Sequence, residues 1–351
     1  MTNNDITKIY FCGDEIAALY QGSTLIFKKS GGGSTTEPTG VYTVRGTLKP
    51  DSTVQSIQLC VNGINEQIDI NEDKTFEHTF VNVPVTNMNN FTLQGQGELK
   101  TIDLSDLDTS QVTSMVDLFY QCSNLETIDL TNVNTSNVTD MTRIFGICSN
   151  LKSLDVSNFD TSKVTSMSGM FYNDANLTSL DVSNFDTSKV TSMEDMFNGC
   201  QRLTTLDVSN FDTSNVTQMG HMFRGCENLK SLDLSNFDTS KVTRLQYMFY
   251  DDEKLTDLYI NFDVRSGTYF KTTFSLCFSL ENVVGKFEGT KFDLDLSNCH
   301  DLTAQSAMVF INGLATVTEQ RTLSLNATTY DSLTPEQIAI ATAKGWTVTR
   351  S

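Results

Sequence analysis

Long apolar runs and an excess of basic charge are both missing from this sequence. No stretch approaches the roughly 20 apolar residues that a membrane span needs. Lys and Arg number 24 against 43 Asp and Glu, which gives a formal net charge of -19. This balance argues against nucleic acid and anionic membranes as partners, because both would repel the protein. The N-terminus has no basic start followed by an apolar stretch, so we expect no secretory signal peptide.

Clustered metal ligands and catalytic motifs are missing as well. The three histidines, His78, His221 and His300, lie in unrelated segments, and no C-x-x-C pair exists. The sequence has no G-x-S-x-G, no H-E-x-x-H, no phosphate loop with its lysine and no EF-hand spacing. We therefore expect no enzymatic activity, no catalytic residues, no bound metal and no cofactor.

What the sequence does contain is a repeat of constant period. Phenylalanine recurs at every twenty-sixth position, at Phe119, Phe145, Phe171, Phe197, Phe223 and Phe249. Leucine recurs at the same interval at Leu125, Leu151, Leu177, Leu203, Leu229 and Leu255. One such unit cannot bury its own apolar face and must stack on its neighbours, so the period indicates a solenoid.

Within one copy the apolar positions predict where the chain turns. Leu177, Leu180 and Val182 match the L-x-x-L-x-L pattern of a repeat strand. Residues 183–188, Ser-Asn-Phe-Asp-Thr-Ser, predict a turn whose Asp and hydroxyl side chains bond nearby backbone N–H groups. The remaining apolar residues of the copy are Val190, Met193, Met196 and Phe197. Their spacing allows a short helical or 3₁₀ face, or a second short strand with a tight bend, and we expect a mixture.

The cysteines follow the repeat and do not resemble a disulfide framework. Four of the eight occupy one repeat position: Cys122, Cys148, Cys200 and Cys226. Asp174 and Asp252 stand at that position in other copies. A residue type that recurs in register with a solenoid is more simply a small, half-buried packing residue than a bonded partner.

The unit DVSNFDTSKVTSM followed by MF, residues 181–193 and 196–197, resembles the leucine-rich repeats of BspA-like bacterial surface proteins. The resemblance is to the type abundant in mycoplasma and lactic-acid bacteria, and it covers residues 99 to about 260 closely. It implies a right-handed, curved solenoid that is used for binding. Members on cell surfaces normally carry a signal peptide and an anchor, and we expect neither here.

The predicted fold is mostly β with short helical segments: a right-handed leucine-rich-repeat-type solenoid preceded by a small β-domain and an N-terminal β-hairpin-like module. The predicted segments are a docking or oligomerisation module (1–29), a flexible Ser/Gly linker (30–40), a β-sandwich-like domain that acts as spacer or cap (41–98), regular repeats (99–260), and irregular repeats with a C-terminal cap (261–351). In the cap, residues 305–315 and 334–345 predict helices, and residues 322–325 and 346–348 predict strands.

The N-terminal module predicts two short apolar strands joined by glycine turns. Its candidate docking residues are Ile9, Tyr10, Leu19, Tyr20, Ile26 and Phe27. About 29 residues are too few to fold alone without disulfides or metal. The module also resembles short N-terminal segments of structural proteins of phages of gut bacteria. We expect it to complete its core on other virion proteins, on the next domain, or on another copy of itself, which would give a homo-oligomer.

A ladder of carboxylates is the first candidate binding surface. This aspartate row consists of Asp103, Asp129, Asp155, Asp181, Asp207 and Asp233. Directly opposed like charges are destabilising, so either hydrogen bonds from hydroxyl and backbone groups or a bound cation must offset the repulsion. A cationic partner or a hydroxyl-rich sugar along the row is the functional hypothesis.

A second candidate surface consists of the positions where the copies differ. The first variable row is Asp117, Arg143, Gly169, Asp195, His221 and Tyr247. Tyr120, Tyr172, Arg224 and Tyr250 lie near it in sequence. Tyr and Arg are enriched at binding hot spots, so we assign candidate binding roles to Tyr172, Arg224, Tyr247 and Tyr250.

Two functions remain open from the sequence. One is a bacteriophage virion protein, a fibre or surface decoration that is assembled in the host cytoplasm and adheres to a host surface protein or glycan. The other is a bacterial cell-surface adhesin from which the signal peptide has been removed. The expected absence of an export signal and the undersized N-terminal module favour the virion protein.

Overall fold

The chain forms a β-solenoid of about ten turns that is mostly β with a few short helices, which confirms the predicted fold class. The computed structural model describes residues 6–11, 14–21, 24–27, 41–52, 54–61, 64–81, 96–267, 270 and 272–351. No helix within these ranges is long and apolar enough to cross a membrane.

Strands account for most of the regular elements. They are β1 (Ile6–Phe11), β2 (Asp14–Gln21), β3 (Thr24–Phe27), β4 (Val41–Leu48), β5 (Ser56–Val61), β6 (Ile64–Asp69), β7 (Thr75–Val81), β8 (Leu99–Asp103), β9 (Thr127–Asp129), β10 (Ser231–Leu234), β11 (Asp257–Asp263), β12 (Asn282–Glu288), β13 (Leu294–Leu296), β14 (Arg321–Leu325) and β15 (Trp346–Arg350). The helices are a 3₁₀ turn (Gln96–Glu98), α1 (Ala304–Gly313), α2 (Ala327–Ser332) and α3 (Pro335–Ala343).

The N-terminal module has three strands, so the prediction of two was wrong. They form an antiparallel sheet in the order β1-β2-β3. Leu19 pairs with Ile6 on one side and with Ile26 on the other. The candidate docking residues are distributed over all three strands: Ile9 and Tyr10 on β1, Leu19 and Tyr20 on β2, and Ile26 and Phe27 on β3. The predicted linker, residues 30–40, lies outside the described residues.

The second β segment is continuous with the solenoid. Strand β4 pairs with β7 and also with β8, and β8 pairs with β9 of the next coil, giving one sheet in the order β7-β4-β8-β9. A Cβ at Gly46 would lie 2.4 Å from the carbonyl oxygen of Thr101, so only glycine allows β4 to approach β8 this closely. The segment therefore caps the first coil, one of the two predicted roles.

The segment after each predicted turn is a stack of turns joined from coil to coil, which we call the turn ladder. In one copy, alternate N–H groups from Met193 to Gly199 donate to carbonyl groups of the next coil at 2.7 to 3.0 Å. Single parallel bridges, such as that between Ser192 and Gln218, lie beside this ladder. The helical alternative was wrong, and the alternative of a second strand with a tight bend is the closer of the two.

The L-x-x-L-x-L segment forms paired strands only near the two ends of the solenoid. Residues 151–155, 177–182 and 203–207 are not hydrogen-bonded as strands, so the prediction of a strand in every copy was wrong. A backbone bond from Thr178 N–H to the Lys152 carbonyl, at 3.2 Å, still joins two of these coils. Leu180 is 9% exposed there, against 1% for Leu232 in β10. The pattern correctly placed these leucines on the inward side, but the backbones of these neighbouring coils do not form paired strands.

Side chains complete the bonding between coils at the turn. The hydroxyl of Thr161 accepts a hydrogen bond from the Asp186 N–H at 2.7 Å and donates one to the Asp186 carbonyl at 3.0 Å. The amide of Asn184 donates to the carbonyl groups of Val156 and Phe159 at 3.0 and 2.9 Å. These residues recur in nearly every copy because each coil needs them to bond the next.

The core repeats with the same period. The phenylalanine rings from Phe119 to Phe249 stack on one another with centroids 5.7 to 6.0 Å apart. The six cysteines from Cys122 to Cys299 are unpaired and fully buried rather than half-buried. The thiol of Cys200 donates to the Phe171 carbonyl of the preceding coil at 3.2 Å, so cysteine both packs and bonds.

The C-terminus closes the solenoid as predicted. Helix α1 begins one residue before the predicted start and ends two residues early, with Thr303 as its N-cap. Helix α3 begins with a capping box between Thr334 and Gln337. The final sheet, β13-β14-β15, includes both predicted strands, and the Trp346 indole donates to the Ala315 carbonyl at 2.8 Å. Helix α2 was not predicted.

The threonine bridge predicts a specific loss of stability. Thr161→Val keeps the shape of the side chain but leaves the N–H and carbonyl of Asp186 without their partner. We expect a loss of about 2 to 6 kcal/mol, from about 1 to 3 kcal/mol for each of the two groups left unsatisfied. Urea unfolding followed by circular dichroism measures it.

Thr161→Ser is the matched control, because it keeps the hydroxyl and removes only a methyl group. A loss of stability in the valine variant no larger than that in the serine variant would show that the bridge does not hold the coils together.

Candidate functional site

The aspartate row is exposed, and its carboxylates also serve the backbone. Asp155 Oδ1 accepts a hydrogen bond from the Ser157 N–H at 3.0 Å, and Asp181 Oδ1 accepts one from the Ser183 N–H at 2.9 Å. The Ser157 side chain, and then its N–H, lowers the pKa of Asp155 below its ordinary value. Hydrogen bonding, one of the two predicted explanations, is therefore present along the row.

A parallel row of turn residues does the same work. Asp160 Oδ1 accepts from the Ser162 N–H at 3.0 Å, and Asn134 Oδ1 accepts from the Ser136 N–H at 2.9 Å. The turn bonding predicted for residues 183–188 therefore recurs at the equivalent positions of other copies. Across the described ranges no group of three or more His, Cys, Asp or Glu side chains is placed to hold a metal ion.

Two depressions lie along the aspartate row. A cleft of about 890 Å³ lies between the capping β segment and the first coils, beside Asp103 and Asp129. Arg45 lines it and is engaged by Asp106 at 2.8 Å and Glu77 at 3.3 Å. A second groove of about 530 Å³ follows the unpaired central coils, where hydroxyl groups and aspartates surround a floor of leucine.

The first variable row has an unusual backbone. All six residues from Asp117 to Tyr247 have φ between 51° and 61°, in the left-handed region. Only one of them, Gly169, is glycine, although L-residues pay roughly 1 kcal/mol or more for this conformation. The repeat thus places Asp, Arg, His and Tyr where glycine would fit best. Such strain supports a functional reason for those side chains.

At the N-terminal end of the variable positions the charges are already paired. The Arg143 guanidinium donates to both carboxylate oxygens of Asp117 at 2.7 and 2.8 Å. Its central carbon also lies 4.8 Å from the centre of the Tyr120 ring. This cluster is self-contained, and its cation already has an acidic partner.

At the C-terminal end of the variable positions, the positive charge of Arg224 is not paired with a carboxylate among the described residues. The Arg224 guanidinium lies over the rings of Tyr250 and Tyr247, at 5.1 and 5.8 Å from their centres. The His221 ring stacks on Tyr247 at 5.2 Å, and the two tyrosine rings meet edge to face at 5.5 Å. His221 Nδ1 lies 3.6 Å from Asp195. We call the four residues Arg224, Tyr247, Tyr250 and His221 the Arg224 cluster.

The structure brings together three of the four predicted patch residues. Arg224, Tyr247 and Tyr250 are in mutual contact, whereas Tyr172 lies two coils earlier with Asn198 between it and Arg224. His221 was predicted only as a variable position, and its stacking on Tyr247 adds it to the patch. The period of the repeat is the signal for that contact, since it places His221 and Tyr247 at the same position of adjacent coils.

Two buried acids fall outside both surfaces. Asp174 and Asp252 stand at the cysteine position, and their Oδ1 atoms accept from the Cys148 and Cys226 N–H groups, both at 2.8 Å. Their Oδ2 atoms are buried without a hydrogen-bond partner. Burial raises the pKa of both carboxyl groups well above its ordinary value.

These acids predict a pH-dependent stability. The pKa of both carboxyl groups is higher in the folded state than in the unfolded state. Their contribution to folding stability is therefore fully present below the unfolded pKa and is lost as the pH rises through the folded pKa. The double variant Asp174→Cys, Asp252→Cys should be more stable than the natural chain at pH 7, by about 1 to 3 kcal/mol per site. Its advantage should shrink as the pH falls toward about 4. Urea unfolding across this range measures the difference.

The control removes two exposed charges instead, by Glu253→Gln and Asp301→Asn. If the control gains as much stability at pH 7 as the cysteine variant, the effect comes from net charge and not from the buried carboxyl groups.

Comparison with known proteins identifies the repeat. The model of the family described as "Mycoplasma protein of unknown function, DUF285" matches residues 86–204 and 172–287. No match was found among curated proteins or among solved structures. The repeat and the solenoid fit a BspA-like repeat protein. Because the matched segments together span more than half of the sequence, the chain belongs to the DUF285 family of mycoplasma-type repeat proteins.

Proposed function

We propose that this protein is a non-enzymatic, adhesion-type binding protein whose solenoid presents the variable positions to a surface protein or glycan. One observation carries the proposal: repeated polar residues are used to bond one coil to the next, whereas the variable row is strained and its side chains are partly exposed without serving that bonding in every copy. In the first variable row, Asp195, His221 and Tyr247 adopt φ between 55° and 59°, a region that favours glycine.

The aspartate row is the other candidate binding surface, and its structural role makes it the less suitable of the two. Its carboxylates accept backbone hydrogen bonds within their own turns, as Asp181 does from Ser183. A residue with a structural role in every copy carries little information that distinguishes one ligand from another. The row makes the surface on which it lies negatively charged. A cationic partner at the aspartate row stays a prediction.

Membership in the repeat family supports an adhesion-type role. Within that role we propose a bacteriophage virion protein, a fibre or surface decoration. The support is the N-terminal sheet, whose outer strand β1 pairs with no strand other than β2 among the described residues. Open strand edges are templates for pairing with another chain. Residues 1–29 would then dock to other virion proteins or to further copies.

A bacterial cell-surface adhesin is the second candidate. The observation that favours it is the family itself, whose description names proteins of mycoplasma, a cellular organism. The BspA-like resemblance of the repeat points the same way.

Location separates the two candidates. Antibodies raised against the purified protein, used for immunogold electron microscopy, should label purified phage particles at a regular position. Particles prepared without this gene serve as the control. Label confined to the bacterial envelope would replace the virion proposal with the adhesin, and label confined to the cell interior would contradict both.

Adhesion itself should depend on the variable positions. The chain offers natural precedents for glycine there, Gly169 in the row of Tyr247 and Gly146 in the row of Tyr250. Tyr247→Gly and Tyr250→Gly should therefore leave the fold intact. At the strained position, Tyr247, we expect the free energy of unfolding to change by about 1 kcal/mol or less. Together they should lower retention on host cells about tenfold or more, in line with hot-spot residues. Flow cytometry with the fluorescent full-length protein measures retention.

Asp155→Asn with Asp181→Asn is the matched control on the other surface, since asparagine keeps the oxygen that caps the turn. Loss of retention in this control, with none in the tyrosine variants, would move the binding surface to the aspartate row.

A further inference from the structure

The cation at the centre of the Arg224 cluster is oriented but not neutralised. Its side chain is exposed, and two tyrosine rings hold the guanidinium at 5.1 and 5.8 Å. Among the described residues no carboxylate lies within 4.0 Å of it, whereas Arg143 is paired with Asp117 and Arg244 with Glu194. Of the eight arginines, only Arg202 and Arg224 have no carboxylate within 4.0 Å among the described residues, and of these two only Arg224 lies over tyrosine rings.

The geometry favours an anion of a particular shape. A guanidinium presents parallel N–H donors that match the two oxygens of a carboxylate. Contact with aromatic rings fixes the plane of the fork while leaving its N–H edge available. Since the neighbouring tyrosines and His221 have both apolar ring surface and polar atoms, they suit a ligand with hydroxyl groups around its charge.

From these contacts we propose that the Arg224 cluster binds the carboxylate of an acidic sugar, with Tyr247, Tyr250 and His221 contacting the sugar around it. The inference rests on the proposed adhesive function and names the class of ligand. It adds a role for His221 and excludes Tyr172, two coils away, from the same site.

The charge of the protein decides against a polyanion. Surface charges are screened beyond roughly 8 Å at physiological salt, so one carboxylate reaching Arg224 meets mainly its immediate neighbours. A polysulfated or polycarboxylated chain would have to lie along further coils of this acidic protein, where Asp195 repels it. The site therefore selects a sugar with a single charge at its end.

The surroundings also favour a sugar over a peptide. Peptide recognition typically uses pockets for side chains or a strand edge for backbone bonds. None of the residues of the Arg224 cluster lines the cleft at Asp103, the central groove or the depression beside β12 and α1. A peptide would find one charge contact here and none of these three depressions, whereas a sugar acid needs only the fork and polar contacts.

The test compares ligands that differ only in the carboxylate. Methyl glucuronide and methyl glucoside differ by a carboxylate in place of a hydroxymethyl group, and a methyl sialoside supplies the acid from a second kind of sugar. Saturation-transfer NMR with the full-length protein should detect both acids at about millimolar affinity, as expected for a small exposed site. It should detect no binding of the glucoside, of heparin or of a tripeptide with a free C-terminal carboxylate.

The variants separate the site from overall charge. Arg224→Gln should weaken acid-sugar binding at least about tenfold, and Arg224→Lys by about threefold, because lysine keeps the charge but loses the fork. Arg202→Gln removes the same charge from an exposed arginine that has no tyrosine beneath it, and it should change nothing. Equal thermal midpoints establish that all three variants are folded.

The inference would be overturned by equal binding of glucuronide and glucoside, or by binding of the tripeptide as tight as that of the acids. An equal loss of acid-sugar binding in the Arg202 and Arg224 variants would overturn it too. Absence of binding by both acids, while the wild-type protein still adheres to host cells, would also overturn it but would leave the adhesive function standing. Loss of adhesion in Tyr247→Gly with Tyr250→Gly tests that function separately.

Discussion

Hydrogen bonding between successive coils is the constraint on which this structure depends. The turn ladder joins each coil to the next through alternate backbone N–H groups, such as those of Met193 and Phe197. Where the backbone cannot reach, Thr161 and Asn184 extend the same bonding with side chains. A polar backbone group buried between coils would otherwise be left unsatisfied, at a cost comparable to a lost hydrogen bond. Phenylalanine stacking then fills the space inside the ladder.

Much of the architecture follows from the period of the sequence. The constant spacing of the copies places Phe171 above Phe145 and His221 beside Tyr247, whatever the detailed path of the chain. The period also separates frame from surface, because residues needed at every interface must recur. The start of α3 was predictable for a different reason: its threonine cap and first-turn proline act locally.

Details that depend on the distance between coils were not predictable. The leucine pattern shows which side chains point inward, as Leu180 does, but does not say whether adjacent backbones come within hydrogen-bond reach. The hydrogen bonds of Thr161 join residues 25 positions apart, and the sequence of a single copy does not predict them. In the Arg224 cluster, the sequence could place Arg224 near Tyr250 but could not show that no acid would pair with it.

A division of roles follows between residues that repeat and residues that vary. Repeated carboxylates such as Asp155 and Asp160 both cap turns and give the surface its charge. Variable residues such as His221 occupy strained positions on the turn ladder, where a side chain contacts its counterparts one coil away. The stability of the solenoid therefore depends on the residues that are identical between copies, and ligand recognition depends on the residues that differ.

The uniformity of the coil interfaces has a consequence for how such a protein can change. Each regular coil offers the next the same donors and acceptors, so one whole repeat unit can be inserted or deleted without stranding a polar group. Reach and the spacing between variable clusters can thus change in whole units, while the two caps stay as they are.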